Sequence, residues 1–203
     1  MLWWIFLIVS LVIGYQITLL QREKIEANLL NVMKNKHQEI SIKKAVKNDF
    51  SKVIELLKIA AQDLKDRGIN QWDYWLDPPE ERLKWVQEGF LNEEFYFVTF
   101  NKQVIGMYRL CEEDLLYWGK QKEPAYYIHS FVVIPEYKGL QIGSYVIDQI
   151  ENQARENNIS LLRLDCNATN PGLCQYYIHQ GFVKIGEKQM KLSLNNLYEK
   201  TLL

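Results

Sequence analysis

A strand that turns sharply into a helix is the stretch of this sequence best suited to hold a phosphate group. Residues 125–144 read AYYIHSFVVIPEYKGLQIGS. Aromatic and β-branched residues predict a strand over residues 126–134, which Pro135 ends because it has no amide hydrogen. Gly139 and Gly143 allow a tight bend and a close approach to the backbone. The free amides and positive dipole end of the following helix would suit a diphosphate.

This turn differs from two common phosphate-binding motifs. It lacks the Gly-Lys-Ser/Thr ending of a P-loop and the Gly-x-Gly-x-x-Gly of a dinucleotide fold. It resembles the acyl-CoA signature of the GNAT superfamily of N-acetyltransferases, in which an apolar strand and Val-x-Pro precede Arg/Gln-x-x-Gly-x-Gly/Ala. Residues 133–135 match the first part, and Lys138, Gln141 and Gly143 fall on the second, with Lys138 in place of the usual Arg or Gln. Gln141 departs from the pattern, because the family has glycine there, and its side chain is expected to weaken cofactor binding.

A second motif occupies residues 170–182, which read NPGLCQYYIHQGF. The superfamily carries Asn-x-x-Ala-x-x-Leu-Tyr-x-x-x-Gly-Phe here. The corresponding positions hold Asn170, Leu173, Tyr176, Tyr177, Gly181 and Phe182. By this resemblance Asn170 contacts the pantetheine arm and Tyr177 lies beside the thioester sulfur. The alternative is that Asn170 only caps a helix and Tyr177 only packs in the core.

The resemblance implies that acetyl-CoA is the co-substrate. The predicted cofactor-binding residues are Phe131, Val132, Val133, Lys138, Gly139, Leu140, Gln141, Ile142, Gly143, Ser144 and Asn170. A backbone amide near Val132 or Val133 would stabilise the oxyanion where the central strands separate, as in the family. No metal is expected, because the three histidines, His37, His129 and His179, are scattered along the chain.

Two side chains are predicted to move protons. An alkyl amine has a pKa of about 10.4 and attacks a thioester only when neutral, so a base must take its proton. His129 is the candidate base: it shares the strand parity of Phe131, and an unperturbed imidazole titrates near neutrality. A histidine that is merely hydrogen-bonded in the core is the alternative, with Tyr127, or Glu123 through water, as substitute bases. Tyr177 is the predicted acid for the thiolate leaving group.

An aromatic loop is the predicted acceptor site. The candidate residues are Trp72, Asp73, Tyr74 and Trp75, between the first two helices, where the family forms its acceptor pocket. A carboxylate with aromatic faces suits a cationic amine such as a polyamine or a lysine side chain. Trp118, with Glu112, Glu113 and Asp114 nearby, offers the same chemistry. Large aromatic residues that only cover the core are the alternative for both segments.

Composition excludes several functional classes. The 203 residues carry a net charge of −1, which gives no indication of a nucleic-acid partner. Cys111, Cys166 and Cys174 lie far apart, so neither a disulfide framework nor a zinc site is indicated, and a reducing compartment is expected.

The N-terminal segment has a different character from the rest. Residues 2–20 are uncharged and about long enough to span a bilayer. The sequence predicts a transmembrane anchor at 1–21 and a helical stalk at 22–39. The basic residues Arg22, Lys24, Lys34 and Lys36 place the following domain on the cytoplasmic face of the cell membrane. The alternative is an upstream extension that is rarely translated.

The remaining chain, 40–203, is predicted to form an α/β (α+β) domain with the GNAT-like fold, a mixed sheet of six or seven strands flanked by four helices. Helical periodicity, caps and Pro or Gly breakers predict the order β, two helices, three strands, helix, strand, helix. Two short strands are expected at 182–185 and 189–194.

These observations predict an acetyl-CoA-dependent N-acetyltransferase that acts on a primary amine of a small molecule. Acetylation of a protein lysine or N-terminus is the alternative within enzymes. A non-catalytic acyl-CoA sensor is the alternative from another class, and Gln141 is the feature that favours it. A homodimer is left open.

Overall fold

The computed structural model describes residues 40–69, 71–191 and 193–202, together with Lys24. The predicted anchor (1–21) and, apart from Lys24, the predicted stalk (22–39) lie outside the described residues. Among the residues that are described, no helix is both long and apolar enough to cross a membrane.

From Ser41 onwards the chain forms one seven-stranded sheet with helices on both faces. The strands are β1 Ser41–Lys44, β2 Phe95–Phe100, β3 Gln103–Cys111, β4 Tyr126–Val133, β5 Leu161–Asn167, β6 Val183–Gln189 and β7 Leu194–Thr201. The helices are α1 Phe50–Asp66, α2 Glu80–Leu91, α3 Ile142–Glu156 and α4 Pro171–His179. The spatial order is β1-β2-β3-β4-β5-β7-β6, with β4 and β5 parallel and every other pair antiparallel.

The two faces of the sheet carry different layers. Apolar residues of α1 and α2 form one core with Phe97, Met107 and Val132 of the sheet. Side chains alternate along a strand, so Tyr96 and Tyr108, which stack on each other, lie on the opposite face. There the Gln153 side chain of α3 reaches the Tyr96 hydroxyl. The sheet therefore separates an α1/α2 face from an α3 face.

A buried ion pair ties the α1/α2 face together. Arg109 of β3 contacts Glu94 at 2.6 Å, donates to the Trp85 carbonyl at 3.0 Å and lies 4.1 Å from the Trp85 ring centre. The Arg109 side chain is only 7% exposed, so its charge depends on Glu94 rather than on water for compensation.

An irregularity in β4 sets up the site. Arg109 faces His129, but Met107 faces Val132, so one extra residue of β4 is inserted. Ser130 takes it up with a left-handed φ of 49°. Such a bulge bends the strand and reverses which face its later side chains meet. It lies next to the point where β4 leaves β5.

The C-terminal strands differ from the prediction. Residues 189–194 were expected to form the last strand, but they mostly form the hairpin turn, and the strand runs over Leu194–Thr201. The error arises because alternation of apolar and polar residues is weak on this edge hairpin. The first strand ends at Lys44, and Val46 is exposed.

Candidate active site

The turn before α3 has the geometry that the two-glycine pattern predicts. Gly139 has φ 79° and Gln141, the N-terminal cap residue, has φ 59°. The first amides of α3, beginning at Ile142, lie before any intrahelical partner and carry the positive end of the dipole. The left-handed backbone at Gln141 explains why glycine suits this position, since an L side chain is strained there. The turn can therefore bind an anion, with an exposed glutamine at its bend.

Lys138, the predicted cationic ligand of this turn, is already paired. Its ammonium contacts the carboxylate of Asp63 near the end of α1. The same carboxylate contacts Arg67 Nε at 3.0 Å. Asp63 is thus paired with both Lys138 and Arg67, next to the turn before α3.

A gap opens in the sheet next to the turn. Strands β4 and β5 pair only from Tyr126 to Ile128, opposite Leu162 to Leu164. Ile134 donates its amide to the Ile105 carbonyl at 2.9 Å, so by antiparallel alternation Val133 directs its amide away from β3, toward the gap. Val133 is one of the two predicted oxyanion donors, and its amide is directed out of the pairing with β3.

His129 lies on the α1/α2 face of the sheet, which corrects the predicted strand parity. It was expected to share a face with Phe131 and Val133. Because of the Ser130 bulge it shares the α1/α2 face with Val132, whereas Phe131 approaches Gly143 of α3.

The imidazole of His129 is flanked by two carboxylates. Nε2 lies 3.3 Å from Asp114 Oδ2, and Nδ1 lies 3.8 Å from Asp165 Oδ1. Burial is the main cause that raises the pKa of Asp165, while His129 and a hydrogen bond from Asn195 oppose the shift. Within the described chain these three side chains are the one group with metal-ligand potential, their atoms lying within 4.8 Å of one another.

Tyr177, the predicted acid, is deeply buried. It is 6% exposed and packs against Tyr176, Phe182 and Tyr198. Burial holds the pKa of its phenol well above the ordinary value. The hydroxyl stays protonated at neutral pH. This packing agrees with the alternative that Tyr177 lies in the core, and its role as the acid stays a prediction.

The neighbouring Tyr176 reaches across to α3. Its buried hydroxyl lies where a Cβ on Gly143 would be, beside Ser144, and makes no hydrogen bond of normal geometry to the described residues. Burial raises its pKa to about 12. Tyr176 stands where the family pattern has leucine, and it brings a buried hydroxyl to the start of α3.

Asn170 caps α4, which was the alternative to its predicted contact with the pantetheine arm. Its side chain accepts from the Leu173 amide at 3.2 Å and donates to Gln71 at 3.2 Å. Contact with a pantetheine arm stays a prediction.

The predicted acceptor loop divides into two parts. Trp75 is 2% exposed in the core and Trp72 packs against that core, while Asp73 is exposed. Tyr74 also packs against this core, and burial, with Asp165 as a further cause, raises the pKa of its phenol. The alternative of core packing therefore applies to all three aromatic residues of the loop.

Two of the cysteines are close in space. Cys166 Sγ of β5 and Cys174 Sγ of α4 are 3.5 Å apart, although nothing in their spacing indicated a pair. Both are reduced, and Cys174 is partly exposed.

A model of the acetyltransferase (GNAT) family matches residues 55–182. The chain belongs to this family. It is therefore an acyl-CoA-dependent acyltransferase, and family membership favours the enzyme over the binding-only sensor.

Several GNAT proteins resemble the chain. An uncharacterised N-acetyltransferase, YesJ of Bacillus subtilis (strain 168), is 24% identical over 147 residues, which cover 70% of this chain and 81% of YesJ. A GNAT acetyltransferase from Listeria monocytogenes 4b F2365 superposes with a TM-score of 0.68 at 24% identity, covering 81% of this chain and 96% of that one. PaiA N-acetyltransferase from Thermoplasma acidophilum, solved with coenzyme A, has a TM-score of 0.55 at 19% identity, covering 80% and 99%.

No sequence pattern indicated Asp165, whereas Asp114 belonged to the second candidate acceptor segment, around Trp118. The available signal for Asp165 was its place on the strand after α3, between the core residues Leu164 and Cys166, where a carboxylate needs a partner. Only the fold shows that the partner is His129.

A cavity of about 640 Å³ lies elsewhere, at the start of β4. Tyr126, Cys111 and Gln153 line it, whereas the turn before α3 follows the end of β4. This cavity is therefore separate from the GNAT site.

Proposed function

We propose that this GNAT enzyme transfers an acetyl group from acetyl-CoA to a primary amine of a small molecule. The observation that carries the proposal is the gap between β4 and β5 beyond Ile128. The His129 cluster lies where the pairing ends, and the turn before α3 follows the end of β4. The acyl end of a cofactor bound at the turn would enter this gap. PaiA, of the same fold, is solved with coenzyme A, which supports coenzyme A as the carrier.

His129 acts as the base and Tyr177 as the acid in this proposal. The neutral imidazole takes a proton from the amine, the amine nitrogen bonds to the carbonyl carbon, and the carbon–sulfur bond breaks. The Val133 amide would stabilise the oxyanion. The phenol of Tyr177 would relay the second amine proton to the thiolate.

The surroundings of His129 favour a small acceptor over a protein acceptor. Tyr117 lies 6.2 Å from the imidazole, and Tyr74 carries Arg82 over its ring at 4.5 Å. Aromatic faces beside two carboxylates suit a compact cation.

The test is release of free thiol by the purified full chain with acetyl-CoA and a panel of primary amines. Tyr177→Phe should lower kcat by about 10²- to 10⁴-fold, the usual range for a proton-transfer group, while the Kd for coenzyme A by calorimetry stays nearly unchanged. An unchanged kcat would remove Tyr177 from the mechanism. His129→Gln should remove the decline of kcat/KM at low pH, and retention of that decline would place the base elsewhere.

We propose in addition that residues 2–20 tether the enzyme to the cytoplasmic side of the cell membrane. The uncharged N-terminal run and the basic residues after it support this. The full chain should sediment with membranes and be released only by detergent. Release by high salt alone would contradict a spanning anchor.

A further inference from the structure

The carboxylates beside His129 have different hydrogen-bond environments. Asp165 Oδ2 accepts from Asn195 Nδ2 at 2.5 Å, which fixes its orientation. Asp114 Oδ1 accepts from the Tyr117 amide at 3.1 Å. Asp114 Oδ2 is buried and has no hydrogen-bond partner among the described residues, since its contact with His129 lacks hydrogen-bond geometry. One carboxylate is therefore anchored, and the other keeps an unused acceptor oxygen.

The cluster has more acceptors than protons. A neutral imidazole carries one N–H, so it can donate to only one of the two carboxylates. The side chains of Asp114, His129 and Asp165 are 6%, 15% and 10% exposed, so water cannot readily supply the missing donor. A buried carboxylate oxygen without a donor is costly. A ligand that brings N–H groups and positive charge would remove this cost.

The groups around the cluster leave its negative charge uncompensated. Arg163, the nearest cation on β5, is held by Glu199 at 2.8 Å and by the Tyr127 hydroxyl at 2.9 Å. Arg82 of α2 lies over the Tyr74 ring. Tyr117 has its pKa raised mainly by burial and further by Asp165 and Tyr74, so the phenols around the cluster stay neutral. An incoming ammonium group would meet net negative charge here.

Resting on the proposed function, we propose that the acceptor is a cationic amine whose ammonium group binds Asp114 Oδ2, and that Asp165 positions His129 to take its proton. The ammonium gives one proton to the imidazole, and Asp165 stabilises the imidazolium. The amine nitrogen then bonds to the thioester carbonyl carbon and the carbon–sulfur bond breaks. The second amine proton goes with the thiolate, so the products are amide, thiol and one proton later released from His129.

The test compares Asp114→Asn, Asp165→Asn and the control Glu156→Gln in the full chain. The probes are 1,4-diaminobutane, a cation at pH 7, and aniline, a neutral amine at that pH. Loss of a charge-assisted hydrogen bond should raise the KM for diaminobutane by about 10- to 100-fold in Asp114→Asn and leave kcat/KM for aniline nearly unchanged. Asp165→Asn should instead lower kcat and shift the low-pH limb of kcat/KM. Glu156→Gln, which changes an exposed carboxylate at the end of α3, should change neither.

A titration separates these roles from a merely structural effect. In NMR spectra of labelled histidine, Asp165→Asn should lower the apparent pKa of His129 and alter its tautomer balance, and Asn195→Ala should do the same to a smaller extent. Both variants must keep wild-type coenzyme A binding by calorimetry.

Three results would overturn the inference. One is equal loss of activity with both probes in Asp114→Asn, and another is an unchanged His129 titration in Asp165→Asn. The third is a stoichiometric divalent metal, found by elemental analysis and absent from His129→Gln. A wild-type protein that does not bind coenzyme A is a different outcome from these three, because it would refute the proposed function itself.

Discussion

Replacing Gln141 with glycine should stabilise the enzyme, although most substitutions to glycine destabilise. Gln141 has φ 59°, and its side chain makes no capping hydrogen bond to α3. An L residue in this left-handed conformation costs about 1–2 kcal/mol that glycine avoids. The greater freedom of glycine in the unfolded chain offsets about 0.4–1 kcal/mol of this gain. The free energy of unfolding should therefore rise by about 0.5–1 kcal/mol, or about 1–4 °C in Tm for a domain of this size.

The assay is urea and thermal unfolding of the wild type, Gln141→Gly and the control Gln141→Ala. Alanine removes the same side chain but keeps the strain, so it should leave stability nearly unchanged. If glycine is no more stable than alanine, the strain argument is refuted. Calorimetry with coenzyme A adds a functional readout: both variants should bind more tightly than the wild type, since the side chain stands beside the diphosphate turn. Weaker binding would instead make Gln141 a ligand.

Three other predictions follow from buried charges and thiols. Burial raises the pKa of Asp165, so its proton is held more strongly in the folded than in the unfolded chain, and stability should fall as pH rises through the folded pKa. Asp165→Asn should remove this fall. In measurements of Tm against pH, the variant should gain most over the wild type at neutral pH and little in acid. Glu94→Gln should cost about 3–5 kcal/mol in urea unfolding because it leaves its arginine partner buried and unpaired, whereas the exposed neighbour Glu93→Gln should cost under about 1 kcal/mol. Hydrogen peroxide should convert Cys166 and Cys174 to a disulfide with release of water. Mass spectrometry should detect this as a loss of two hydrogens that a reductant reverses and that substitution of either cysteine with serine abolishes. Two unlinked thiols after oxidation would contradict the pairing.

Local signals in the sequence predicted most of the fold. Pro135 marks the end of β4 and Gly181 the end of α4, and both elements stop near these residues. The Val-x-Pro and two-glycine pattern predicted the turn before α3, since glycine geometry is a local property. The last strand was misplaced because an edge hairpin has little apolar alternation to mark its register.

The site was less predictable, for two physical reasons. First, a bulge adds one residue without any composition signal, so the face of His129 could not be obtained from parity. Second, Asp165 and Asp114 meet that histidine only through strand pairing and a loop distant in sequence. The scattered histidines argued against a metal site, but they gave no information about the two carboxylates that lie beside His129.

The contact between Lys138 and Asp63 changes how the affinity for coenzyme A should be understood. Lys138 is not a free cation waiting for a phosphate, because it already has an internal counter-ion that also neutralises Arg67. Binding of the nucleotide is then an exchange of one anion for another. Salt screens both the contact that is lost and the contact that is gained, so the affinity should fall with ionic strength less steeply than at a turn lined by unpaired lysines.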